Sequence, residues 1–210
     1  MSTFEADRTT ASLWDGGVAP YSIPSKKLGM WLFIISDAIT FTGLLIAYSY
    51  LRVASEDWPL PFHFYPSIVV SSIMTFALLS SSLTMVFAVA AAQKGNTSAA
   101  FKWLWATIAG GLTFMVLHIN EWFNLIHEGL RPFENPWGSP LFGATFFTIT
   151  GLHMLHVSIG IVLLIVIALG HKSGRYTSDH VEISGLYWHF VDLVWMFVFP
   201  LLYLMSVPLE

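Results

Sequence analysis

Leu141–Leu169 reads LFGATFFTITGLHMLHVSIGIVLLIVIAL, with no Asp, Glu, Lys or Arg in 29 residues. As an α-helix this stretch is about 44 Å long at ~1.5 Å per residue. A bilayer core of about 30 Å needs roughly 20 such residues. The stretch does not alternate apolar with polar, so it is not a barrel strand. It carries no continuous polar stripe, so it is not a helix on a soluble core. It predicts a membrane-spanning helix, and the rest of the chain repeats the pattern. Leu28–Leu51, Ser67–Ala92, Phe101–Ile126 and Ile183–Val207 are also predominantly apolar and long enough to cross. The expected fold is all-α, a bundle of five transmembrane helices at 28–210, behind a polar N-terminal arm at 1–27.

Composition agrees with this. Of 210 residues, 55% are hydrophobic and 10% charged, whereas a soluble domain carries about 25% charged residues. Nine Lys and Arg against thirteen Asp and Glu leave no basic patch for nucleic acid. Without Cys there are no disulfides, thiolate metal sites or thiol nucleophile. The first span follows a polar tail and exceeds the length of a signal-peptide core, so it is not read as a cleaved leader.

Loop charges predict the orientation. Arg8, Lys26, Lys27, Lys94, Lys102, Lys172 and Arg175 fall on one side, Arg52 and Arg131 on the other. The positive-inside rule places the seven in the cytoplasm, with the N-terminus inside and the C-terminus in the periplasm. Trp58, Tyr65, Phe133 and Trp137 sit in or near the outer loops, as an aromatic belt requires. Pro200 lies near the outer end of the last span and is expected to bend it there. Ser80–Ser82, Ala109–Gly111, and Gly151 with Gly160 are small enough for close helix approach.

Seven ionisable residues fall inside the spans: Asp37, His118, Glu121, His153, His156, His189 and Asp192. A charge at mid-bilayer costs at least ~2.5–3.5 kcal/mol, so such groups face protein or water, pair, or stay neutral. Six form one-turn pairs, His118 with Glu121, His153 with His156, and His189 with Asp192; residues three apart share a helix face. A carboxylate-bridged di-metal site needs Glu-x-x-His on two helices and a Glu on two others. Here the order is His-x-x-Glu, once. The pairs are therefore expected to form an interhelical hydrogen-bond network, with a proton or ligand path as the functional alternative and no metal. Asp37 stands apart, with only Ser36 and Thr40 as polar sequence neighbours; it is read as a buried carboxyl that handles protons, contacts lipid or bonds a neighbouring helix.

Four segments then resemble one family, subunit III of the haem–copper respiratory oxidases. Lys27–Tyr48, KLGMWLFIISDAITFTGLLIAY, resembles its first shared helix. Phe142–Gly160, FGATFFTITGLHMLHVSIG, resembles its Gly-x-His-x-x-His-Val segment, and Tyr187–Val198, YWHFVDLVWMFV, its Trp-His-Phe-x-Asp-x-Val-Trp signature. Asn120-Glu121-Trp122 sits where the family carries a Glu beside an aromatic. The likeness runs in order from Lys27 to the C-terminus.

The resemblance implies a role without a catalytic site. Subunit III carries no cofactor; haem and copper lie in partner subunits. It packs on the catalytic subunit I, in a complex with subunit II and with small subunits or a respiratory supercomplex. It holds phospholipid and supports proton uptake. Asp37 matches the family's buried carboxylate, which is often Glu. The absence of two further N-terminal helices resembles the five-helix bacterial form, implying a multi-pass protein of the bacterial inner membrane. Two other classes compete, an independent proton-coupled transporter and a membrane di-metal oxidase. The first lacks inverted repeats and broken helices; the second lacks the ligand count.

Overall fold

A computed structural model describes residues 24–208. Its five long helices are α1 (Ser25–Ala54), α2 (Val69–Gln93), α3 (Thr97–His127), α4 (Pro140–Lys172) and α5 (Ser178–Val198). One π-helical turn, Phe64–Ile68, leads into α2. Another, Phe199–Tyr203, prolongs α5 and passes into a 3₁₀ turn at Leu204–Ser206. With these turns all five segments are 29 to 33 residues long and apolar enough to cross a membrane. Among the described residues there is no strand.

The helices overrun the apolar spans because a hydrogen-bonded helix continues into the headgroup layers, which bring a bilayer to about 40–45 Å. The arm expected at 1–27 is shorter at its end. α1 already begins at Ser25, so Lys26 and Lys27 are helical; residues 1–23 lie outside the described part. Lys27 pairs with Glu182, and Lys26 Nζ lies 3.4 Å from His180 Nε2. A basic pair at a helix start is tolerated because the N-terminal end of α5 supplies the acid, Glu182. Pro200 falls in the π-helical turn where the sequence places a bend.

Local chemistry sets the helix ends. Gly95 has φ +72°, a left-handed turn that ends α2. The next residue, Asn96, caps α3 by accepting from the Ala99 amide at 3.0 Å. Pro140 opens α4 at a position where no backbone donor is needed. Thr177 and His180 cap α5 reciprocally.

Between membrane helices there is little hydrophobic driving force, so packing and hydrogen bonds hold the bundle. α2 and α3 meet at Gly110, where a Cβ would stand 2.7 Å from that of Ser81. The Thr84 and Thr107 hydroxyls join the same two helices at 2.8 Å. Trp188 of α5 lies fully buried against Gly111 of α3 and Gly160 of α4. Its indole N–H donates to Ser81 Oγ on α2 at 3.0 Å. Two turns further, Trp195 donates to Thr75 Oγ1 at 2.8 Å. Tyr187 donates to the His156 carbonyl at 3.0 Å. α5 is thus the central helix, tied to α2 and α4. α1 sits at the edge, against α4 and α5 only along part of its length.

A row of buried ionisable groups as candidate functional site

α1 carries Asp37 toward α4. Its Oδ2 lies 3.2 Å from His156 Nε2, on a line outside hydrogen-bond geometry. His156 Nδ1 stands 2.8 Å from the Leu152 carbonyl one turn back on α4. A carbonyl only accepts, so Nδ1 carries a hydrogen. A neutral ring would then offer Nε2 as a lone pair facing a carboxylate, and two acceptors at this separation repel. A proton on either group would relieve that repulsion. Ser36 and Thr40 do not join it; both hydroxyls donate to carbonyls of α1 itself.

His153, expected to act with His156, points elsewhere. It is fully buried, stacked on Trp195 with ring centroids 5.1 Å apart and edge-on to Phe114 at 5.7 Å. His118 of α3 packs on the same two rings, stacked on Phe114 at 5.6 Å and edge-on to Trp195 at 5.4 Å. His118 Nδ1 comes within 3.5 Å of Glu121 Oε2. That oxygen also accepts from the Tyr203 hydroxyl at 2.8 Å. The groups form a row from α1 through α4 to α3: Asp37, His156, His153, His118, Glu121, Tyr203.

The third sequence pair lies off this row. His189 Nδ1 meets Ser82 Oγ at 2.6 Å. Asp192 turns its buried carboxyl toward the same Ser82 without reaching hydrogen-bond geometry. Serine, imidazole and acid are neighbours here, but the acid does not orient the imidazole, so the arrangement of an activated nucleophile is not assembled. Among the described residues, no three His, Cys, Asp or Glu side chains converge as a metal would require.

Two features escaped the sequence reading. The partners of Glu121 and His189, Tyr203 and Ser82, are hydroxyls unremarkable in sequence. An open apolar groove of about 700 Å³ runs between α1 and α5, lined by residues including Phe41, Leu45, Phe190 and Phe197. Phe41 also packs edge-on to His156, ring centroids 5.4 Å apart, so one side chain separates the groove from the Asp37–His156 pair. Exposed apolar residues one turn apart on α1 and α5 were the available signal.

The chemistry open to this site is holding and moving a proton beside an apolar groove. Comparison with known proteins agrees with the four motifs. Residues 7–207 match the family model described as cytochrome c oxidase subunit III. A cytochrome c oxidase subunit 3 of Alkalihalophilus pseudofirmus is 33% identical over 186 residues, 87% of this chain and 88% of the relative. A quinol oxidase subunit 3 of Bacillus spizizenii is 34% identical over 183 residues, 86% of this chain and 87% of the relative. The cytochrome c oxidase subunit 3 of Balaenoptera musculus is 34% identical over 202 residues, 91% of this chain but 74% of the relative. On its motifs, its helices and this match across nearly all its length, the chain belongs to the cytochrome c oxidase subunit III family.

Proposed function

We propose that this chain is the non-catalytic subunit III of a proton-pumping terminal oxidase in a bacterial inner membrane. In this reading, partner subunit I holds haem and copper and reduces oxygen to water, taking electrons from cytochrome c or a quinol through subunit II. The chain packs on subunit I and steadies it, holds phospholipid in the groove between α1 and α5, and supports proton uptake through Asp37. The observation that carries the reading is the Asp37–His156 pair beside an open apolar groove, in a member of this family.

Asp37 Oδ2 and His156 Nε2 face each other at 3.2 Å, two sites on either of which a proton can sit. Passing one proton between the carboxyl and the imidazole leaves the pair without net charge, which suits a low-dielectric setting. Asn in place of Asp37 keeps the shape and the hydrogen bonding but cannot hold the proton. The oxidase carrying Asp37→Asn is expected to assemble with unchanged haem spectra and to start near wild-type turnover. It then loses activity sooner during turnover, most at high pH, where protons are scarce. Equal rate and lifetime across pH would sink the proton role. Failure to assemble would make Asp37 a packing residue instead. A haem-free, monodisperse single chain with transport activity would overturn the subunit reading itself.

The proposed orientation puts Lys26, Lys27, Lys94, Lys102, Lys172 and Arg175 at the cytoplasmic end. A reporter fused after Glu210 is expected to read periplasmic; a cytoplasmic signal would reverse the topology.

A further inference from the structure

Polar side chains that face outward within the crossings mostly satisfy themselves. The exposed hydroxyls of Ser36, Thr40, Thr42, Thr113 and Thr148 each donate to a carbonyl of their own helix, three or four residues back. None of them needs a partner from outside. His189 does not follow this pattern. It is half-buried where α5 meets α2. Its Nδ1 meets Ser82 Oγ at 2.6 Å. Its Nε2 reaches the surface of the bundle, and among the described residues no group bonds it.

The Ser82 hydroxyl decides which ring nitrogen carries the hydrogen. Among the described residues it finds no helix carbonyl in hydrogen-bond geometry, and neither oxygen of the nearby Asp192 is in such geometry either. The acceptor it does have is His189 Nδ1. An imidazole that accepts at Nδ1 carries its hydrogen on Nε2. His189 Nε2–H is thus an unmet donor on the outer surface. Residue 189 lies eleven positions after Ser178 and seventeen before Ser206, the two ends of its crossing. Those spans are about 16 Å and 25 Å along the axis, so the donor sits within the hydrocarbon. No water reaches it there, and the polar atoms of the lipids lie outside the hydrocarbon layer.

The surface around the donor is apolar. Leu79 and Val86 stand one turn to either side of Ser82 on α2, and Leu193 and Met196 stand one and two turns after His189 on α5; all four are exposed. Leu193 also lines the groove between α1 and α5, so the two surfaces adjoin. We propose that this face of α2 and α5 docks a transmembrane helix of a neighbouring oxidase subunit, which presents a side-chain oxygen to His189 Nε2–H. The backbone carbonyls of a membrane helix are engaged within that helix. The acceptor is therefore a side chain: a hydroxyl, an amide or a carboxyl. Packing against the four apolar residues, together with one interhelical hydrogen bond, is the combination that joins helices in a bilayer.

This docking presupposes that the chain is an oxidase subunit, as proposed above, and is independent of the role of Asp37. Photoreactive benzoylphenylalanine is placed at Val86 of the otherwise unaltered chain, and the haem-bearing complex is irradiated in its membrane. The label is expected to join a transmembrane peptide of another subunit, with an oxygen-bearing side chain within one turn of the linked residue. Labelling of lipid alone overturns the proposal, and so does a linked peptide without such a side chain. His189→Leu removes the donor, whereas His189→Gln keeps an N–H at the place of Nε2. Detergent washing of the immobilised complex is expected to strip the His189→Leu chain about threefold faster than wild type, the size of an average membrane hydrogen bond. His189→Gln should leave at the wild-type rate. Equal loss from His189→Leu and wild type overturns the donor; equal loss from both variants assigns His189 to packing and overturns it too. Where His189→Leu fails to fold, the crosslink decides, because it is made with His189 in place. Crosslinks are scored only in haem-bearing complex, which would not form around this chain if the subunit reading failed.

Discussion

α1 and α5 line the same groove, and both are long enough and apolar enough to cross a membrane. They use their apolar residues in opposite ways. In the most apolar 18-residue window, 6% of α1 is buried inside the chain, against 50% of the last segment, which contains α5. α1 turns Leu32, Ile35, Ile39, Ile46 and Val53 outward. α5 turns Tyr187, Trp188, Val191 and Trp195 inward. Hydropathy cannot distinguish the two, because lipid tails and a protein interior are equally apolar. The difference lies in the polar tips. Tyr187, Trp188 and Trp195 each carry one donor, and each finds an acceptor on a neighbouring helix. The apolar outward row of α1 has no such tips to place. A membrane helix rich in Trp and Tyr at core depth is thus one that other helices surround.

The contrast can be broken by mutation. The largest effect is expected from Trp188→Ala, which empties the space against Gly111 and Gly160 and removes the indole donor from Ser81 Oγ. Large aromatic truncations in packed cores cost about 3–5 kcal/mol. Unfolding of the detergent-solubilised protein by denaturing detergent should shift accordingly; a shift below about 1 kcal/mol would mean that α5 is not the central helix. A smaller effect is expected from Trp195→Phe, which keeps the ring but removes the bond to Thr75. Membrane hydrogen bonds average about 0.6 kcal/mol and reach at most ~1.7. The smallest belongs to α1. Ile39→Ala, at a residue 68% exposed, should leave the isolated chain within about 0.5 kcal/mol of wild type. A larger loss would show that α1 is held by more than its contacts with α4 and α5.

The same division decides what was legible in the sequence. The five crossings could be read because each is a long run with a gap in charge on a scale the bilayer fixes. The ionisable residues could be read as positions, because a polar group in such a run stands out. Their partners could not. His153 and His156 share a face by spacing, but the crossing of α1 over α4 hands His156 to Asp37, while Trp195 of α5 covers His153. The same blindness joined His189 to Asp192 as a pair when both address Ser82 on α2. Segment ends were also displaced. Capping and ion pairing, as between Lys27 and Glu182, extend a helix past its apolar run.

The edge helix α1 is fastened to α5 at both ends. At one end Lys27 holds Glu182. At the other, Arg52 reaches Ser206 Oγ at 3.2 Å and the Met205 carbonyl, and Tyr48 meets the same hydroxyl at 3.2 Å. Mechanically α1 is a beam clamped at its two tips, with the groove beneath its span. Between those ends α1 also packs on α4 through Asp37 and Phe41, so the helix is braced at mid-length as well. The groove follows α1 from Ala38 to Val53, between the mid-length contact and the Arg52 fastening, so its long wall is held at both ends.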